Sequence, residues 1–108
     1  MNGESHGIRK HYYLSGALRR ETPYVNGERH GIEKDYFESG VLWWKTPYVN
    51  GERHGIEKRY YESGALRREI PYVNGKRHGI EKHYDKDNSN IDHLALYDKD
   101  QEVASVKI

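Results

Sequence analysis

Four histidines, His6, His30, His54 and His78, recur at one constant interval, and imidazole is the side chain most suited to metal binding or proton transfer near neutral pH. With two strands per interval, equivalent histidines lie roughly 10 Å apart at about 4.8 Å per strand, whereas the ligands of one zinc sit about 2 Å from it. Neighbouring copies cannot share an ion, and a structural role beside a bulge is expected. The run DKDNS at residues 85 to 89 opens like a calcium loop. Asn90 stands where the loop glycine belongs and Leu96 where the bidentate Glu should be, so a plain turn is expected instead. No nucleophile motif accompanies the Ser, Asp and His residues, and every glycine-rich spot reads as a turn. The expectation is a chain that is not an enzyme and needs no cofactor and no metal.

The more distinctive chemistry lies where near-identical copies differ. The phrase PYVNGERHGIEK fills residues 23 to 34 and again 47 to 58, and from Pro71 to Lys82 it returns with Lys76 in place of Glu. Two copies continue with ALRRE; the one between them has VLWWKT, so Trp43 and Trp44 replace Arg19-Arg20 and Arg67-Arg68. Two indoles in place of two guanidinium groups reverse the character of a site that both neighbours keep charged. Further variation falls at Asp35, where the other copies have His11, Arg59 and His83, and at Phe37, matched by Tyr13, Tyr61 and Asp85. Trp flanked by Arg is the composition of interface hot spots. Trp43, Trp44, Asp35, Phe37, Arg59, Tyr61, Arg19 and Arg67 are therefore the candidate protein-binding residues. Adjacent strand residues point to opposite faces, which puts at least one indole toward solvent. The competing reading has both rings merely covering the sheet.

The elements that must carry these side chains follow from the repeat. Aligned on Asn-Gly, units run over residues 2 to 25, 26 to 49 and 50 to 73; a fourth starts at 74 and departs after residue 85. A period of this size signals an array in which each unit buries surface against its neighbours. Residues 32 to 36 alternate and end at Ser39-Gly40, where a three-residue link suits a type I turn closed by a left-handed glycine. Residues 41 to 49 run back, and Asn50-Gly51 is the favoured pair for a tight hairpin turn. A glycine every few residues and one proline per unit argue against helix. Pro23, Pro47 and Pro71 call for a bulge or bend, and the glycine of each His-Gly pair marks another. Ile32, Lys34 and Tyr36 recur on one face and are expected to hold the frame, leaving the other face to vary. A divergent segment, residues 86 to 108, is expected to form a capping hairpin with a last strand from Val103. The whole, residues 1 to 108, reads as a single repeat domain: an elongated, all-β, single-layer antiparallel meander of tandem hairpins.

Composition narrows the partners. Eighteen basic residues face seventeen acidic ones, for a formal net charge of +1. The signs are interspersed, at +2 over residues 2 to 25 (four basic, two acidic) and −1 over residues 26 to 49 (three against four). Nucleic acid binding has no basic patch to support it, and neutrality weighs against anionic lipid. Ten Tyr and two Trp against one Phe make a β-rich, surface-active chain. Cysteine is absent, which excludes disulfides and thiolate chemistry. Met1 leads into no apolar signal core and no later run has membrane length, so a cytoplasmic protein is the default, and a monomer is favoured.

The frame NGxxHGxxKxYYxSGxL, with a Tyr such as Tyr24 leading into each Asn-Gly, covers residues 2 to about 84 and resembles the MORN repeat (membrane occupation and recognition nexus), particularly its bacterial variant. It departs from the eukaryotic pattern in having Ile32 and Ile56 where a second glycine usually stands. The resemblance implies a single-layer meander, in agreement with the hairpin reading. It also implies a protein partner, because small bacterial proteins of this variant look like antitoxin or immunity proteins that cover a toxin. Alternatives are a membrane-associated or scaffolding protein, suggested by the family name and the Tyr and Trp content, or a fragment of a longer array.

Overall fold

The computed structural model describes residues 6–108, so Asn2-Gly3, the expected start of the first unit, lies outside the described residues. One open antiparallel sheet contains all the strands among them. Each unit supplies a short strand, a long strand continuing it, and a returning strand. They are β1 (Gly7–Tyr12), β2 (Leu18–Val25), β3 (Glu28–Arg29), β4 (Gly31–Tyr36), β5 (Leu42–Val49) and β6 (Glu52–Arg53). The pattern continues through β7 (Gly55–Tyr60), β8 (Leu66–Val73), β9 (Lys76–Arg77), β10 (Gly79–Tyr84), β11 (Ile91–Asp98) and β12 (Gln101–Lys107). Strands follow one another across the sheet in chain order, as a meander requires.

Both expected turns form for the expected reason. Asn50 and Gly51 have φ of 48° and 87°, the doubly left-handed pair of a type I′ turn, and Gly40, at φ 96°, closes the three-residue link. There Phe37 N–H donates to Val41 C=O at 2.8 Å and Gly40 N–H to Phe37 C=O at 2.9 Å.

The proline and the His-Gly glycine prove to be one device. Pro47 C=O accepts from His54 N–H at 3.0 Å, and because an antiparallel residue aims N–H and C=O the same way, the donor that proline lacks would face the same strand. That strand is interrupted there, between β6 and β7. Gly55, at φ 113°, makes the interruption, and a Cβ on it would lie 3.0 Å from Pro47 Cγ. His54 at the break is exposed, and its Nδ1 accepts from Asn74 N–H at 3.4 Å, while Gly75 N–H reaches Arg53 C=O at 2.8 Å. The Asn50-Gly51 and Asn74-Gly75 turns thus each dock on the turn of the unit before them.

Most of the buried side chains form one row, with Tyr48, Tyr72 and Asp35 buried beside it. Thr22, Glu33, Thr46, Glu57, Ile70, Glu81 and Ala95 are all buried, and within each hairpin Glu33 faces Thr46, Glu57 faces Ile70 and Glu81 faces Ala95. This corrects the expectation about the faces: Ile32, Lys34 and Tyr36 lie on the more open side, with Ile32 at 49% exposure, while Glu33 and Asp35 of the same strand are buried. The reason is electrostatic. A buried carboxylate must be paired, so Thr22 Oγ1 donates to Glu33 at 2.8 Å and Thr46 Oγ1 to Glu57 at 3.0 Å. Arg29, Arg53 and Arg77 approach Glu33, Glu57 and Glu81, and each also lies over the ring of a tyrosine on the returning strand of its own unit, at 5.3 Å for Tyr48, 5.2 Å for Tyr72 and 5.3 Å for Tyr97.

The divergent end keeps the same geometry. β11 pairs with β10 as the other returning strands do, and Lys99 and Asp100 at φ 48° and 74° take the place of Asn-Gly. Asp100 N–H donates to Arg77 C=O at 2.8 Å, as Gly75 does to Arg53. The last strand, β12, starts at Gln101, ahead of its expected beginning at Val103.

Candidate functional site

Beside the buried row runs a second one on the same face: Arg20, Asp35, Trp44, Arg59 and Arg68, each the direct neighbour of the next. Its centre is the second unit. Arg20 grips Asp35 with two bonds, Nε to Oδ1 at 2.7 Å and Nη2 to Oδ2 at 3.2 Å, and that hydrogen bond holds the guanidinium pKa above its ordinary value. Asp35 is buried and committed to this pair. It lies on the variable face, as expected, and there anchors the floor of the site.

The two tryptophans share a face, contrary to the alternation that predicted opposite ones. Asp35 pairs with Trp44 and Tyr36 with Leu42, so Trp43 is the extra residue of a bulge. Strand alternation is suspended there. Trp43 stacks on Phe37 with ring centroids 5.0 Å apart and 22° between planes, and its ring lies 4.8 Å from that of Trp44. Arg59 Cζ covers Trp44 at 5.0 Å, while its Nε donates to Glu57 at 2.6 Å, which fixes the cation over the indole. The result is a groove of about 150 Å³ lined by Arg19, Arg20, Asp35, Trp43 and Trp44. Both indoles are half-buried and Arg19 is exposed at the rim.

Six of the eight residues singled out by sequence therefore gather here: Arg19, Asp35, Phe37, Trp43, Trp44 and Arg59. Tyr61 and Arg67 form the equivalent pair one unit on, with Arg67 Cζ 5.8 Å from the Tyr61 ring, as Trp43 covers Phe37. The Tyr61 hydroxyl is engaged with Tyr84 C=O at 2.8 Å. Sequence reasoning missed Arg20 and the bulge. The register held the only signal: Leu42 and Thr46 belong to opposite faces although an even number of steps separates them, which requires one unpaired residue between them.

At the next junction Ile70 removes the hydroxyl that Thr46 and Thr22 supply. Glu81 is met instead by His83 Nε2 at 2.6 Å, and Arg68 Nε, 3.6 Å away, is buried without a hydrogen bond. Burial there lowers the Arg68 pKa against the pull of Glu81. Among the described residues no group of three His, Asp or Glu side chains is arranged to hold a metal ion.

A sheet built by adding like bulged hairpins along one axis defines a β-repeat array whose units present corresponding residues on a common face. The model of the MORN repeat variant matches residues 5–26, 29–50 and 53–74, and the chain belongs to that family. The matched spans are offset from one another by the same interval at which the Pro-Gly breaks recur. Comparison with curated proteins returns no match.

Proposed function

We propose that the chain is a non-enzymatic protein-binding module of the cytoplasm that captures a partner on the Trp43–Trp44 groove. The observation that carries this reading is the bulge, which turns two adjacent indoles to one face beside an exposed Arg19 while Arg59 and Phe37 hold them rigid. Large aromatic surfaces fixed before binding lose little entropy on association, and Trp and Arg are the side chains most enriched at interface hot spots. A partner inserting an apolar side chain between indole and guanidinium, with a carboxylate for Arg19, would match the groove. The bacterial form of this family further suggests an antitoxin or immunity role in which the bound protein is a toxin.

The double substitution Trp43→Arg and Trp44→Arg tests this, because repeats one and three already carry Arg-Arg at these places. The variant is expected to keep its circular dichroism and a cooperative melt yet lose the proteins that the parent chain retains from its native extract. Truncating a central interface aromatic costs about 2 kcal/mol or more, over tenfold in affinity. Unchanged retention by a folded variant would overturn the reading.

A further inference from the structure

The opposite face of the second unit departs from its neighbours as well. One row there runs Glu21, Lys34, Lys45, Lys58 and Glu69, each the direct cross-strand neighbour of the next, with Lys10 and Lys82 beyond the ends. Signs alternate along it except at Lys45, which puts three ammonium groups side by side, and like charges placed directly opposite are destabilising. The adjacent units show what this position otherwise holds. Glu21 accepts the Tyr36 hydroxyl at 2.8 Å, and Glu69 accepts that of Tyr84 while lying 4.0 Å from Lys58 Nζ. Tyr60 stands as far along the chain from Lys45 as Tyr36 does from Glu21, and an ammonium cannot accept its proton. The junction of the second and third units thus keeps the cations and the phenol and lacks the carboxylate.

We propose that Lys34, Lys45, Lys58 and the Tyr60 hydroxyl form a docking site for an acidic protein segment, whose own carboxylate takes the place that Glu21 and Glu69 fill in the flanking units. Two features select a short acidic peptide over a polyanion. The cationic run ends at Glu21 and Glu69, so a nucleic acid strand following the row would meet carboxylates on either side. Along the same face lie Ile32 and Ile56, 49% and 52% exposed, which suit apolar residues alternating with the acidic ones. This surface is on the far side of the sheet from the indoles and stands independently of them.

Titrating the isotopically labelled chain with an acetylated Leu-Glu-Leu-Asp-Leu amide, followed by amide NMR shifts, tests the site. Shifts are expected at Lys34, Lys45, Lys58 and Tyr60, with binding that weakens as salt is raised and is at least about tenfold weaker for the Leu-Gln-Leu-Asn-Leu control. Lys45→Glu restores the alternating row and is expected to raise Tm while abolishing binding; Lys45→Gln is expected to bind about tenfold more weakly than the parent. Trp43→Arg with Trp44→Arg is expected to leave peptide binding unchanged, which separates this site from the groove. Equal binding of the control peptide, undiminished binding by both Lys45 variants, or Lys45-dependent binding of phosphatidylserine vesicles or duplex DNA in place of the peptide would overturn the proposal.

Discussion

At the residue scale, the repeats act as their own controls. The Tyr13 and Tyr61 hydroxyls donate to the carbonyls of Tyr36 and Tyr84 at 2.6 and 2.8 Å, and Phe37 alone of the three lacks the hydroxyl that would reach Tyr60. Phe37→Tyr is expected to add that hydrogen bond, worth about 1 kcal/mol, and raise Tm by a few degrees. An unchanged or lowered Tm would show that stacking on Trp43 holds the ring away from the carbonyl. Tyr36 and Tyr84 give a pH dependence. Burial, helped by their bonds to Glu21 and Glu69, pushes both phenols up to about 12 from an ordinary value near 10. Because the folded chain favours the neutral phenol, this contribution is complete below about pH 10 and is lost as pH rises through about 12. Denaturant titrations across that window should show stability falling in the parent and falling less in Tyr36→Phe or Tyr84→Phe. Equal slopes would remove these two phenols as the cause.

At the element scale, the unit is a hairpin with two irregularities, and each has a function. The Pro-Gly break lets proline sit inside a sheet with no orphaned acceptor, and the bulge at Trp43 turns two consecutive side chains to one face. The first is open to a coupling measurement. Gly55→Ala places a methyl in a left-handed conformation 3.0 Å from Pro47 Cγ and is expected to cost about 1–3 kcal/mol. Pro47→Ala in the same chain should recover part of that loss, and the two substitutions should be non-additive in a double-mutant cycle. Strict additivity would mean that the glycine answers only to its φ.

At the scale of the whole molecule, the sheet is a plate of 51 × 34 × 15 Å with a Cα radius of gyration of 15.7 Å, against about 13 Å for a compact domain of this length. Its thinness explains why, among the described residues, the buried ones are mostly Thr, Glu and Tyr, with no Leu or Val among them. A single layer has no second sheet to cover it, so long side chains on one face must cover each other, and Arg stems over Tyr rings do so while neutralising the glutamates beneath. Small-angle scattering is expected to give a radius of gyration at or slightly above the 15.7 Å of the Cα trace. A value of about 13 Å, that of a compact domain, would mean that the plate folds onto itself in solution.

The hairpin units, both turn types, the pairing of proline with an irregular strand and the meander were all legible in the sequence. They are short-range consequences of steric and hydrogen-bonding rules: Asn-Gly specifies a left-handed turn wherever it stands, and a constant period stacks like on like. The grouping of Arg19, Phe37, Trp43, Trp44 and Arg59 was legible in part, because the differences between copies pointed to those residues. Which face is buried was not legible. Ile32 and Glu33 differ in hydropathy in the direction that would bury Ile32, yet Glu33 is inside, because Thr22 of the neighbouring strand β2 and Arg29 of the short strand before it meet its charge. Nor could local alternation place Trp43 beside Trp44. The bulge exists only in the pairing of β4 with β5, and register is a property of two strands together: the tertiary structure alone decided that the two indoles form one site.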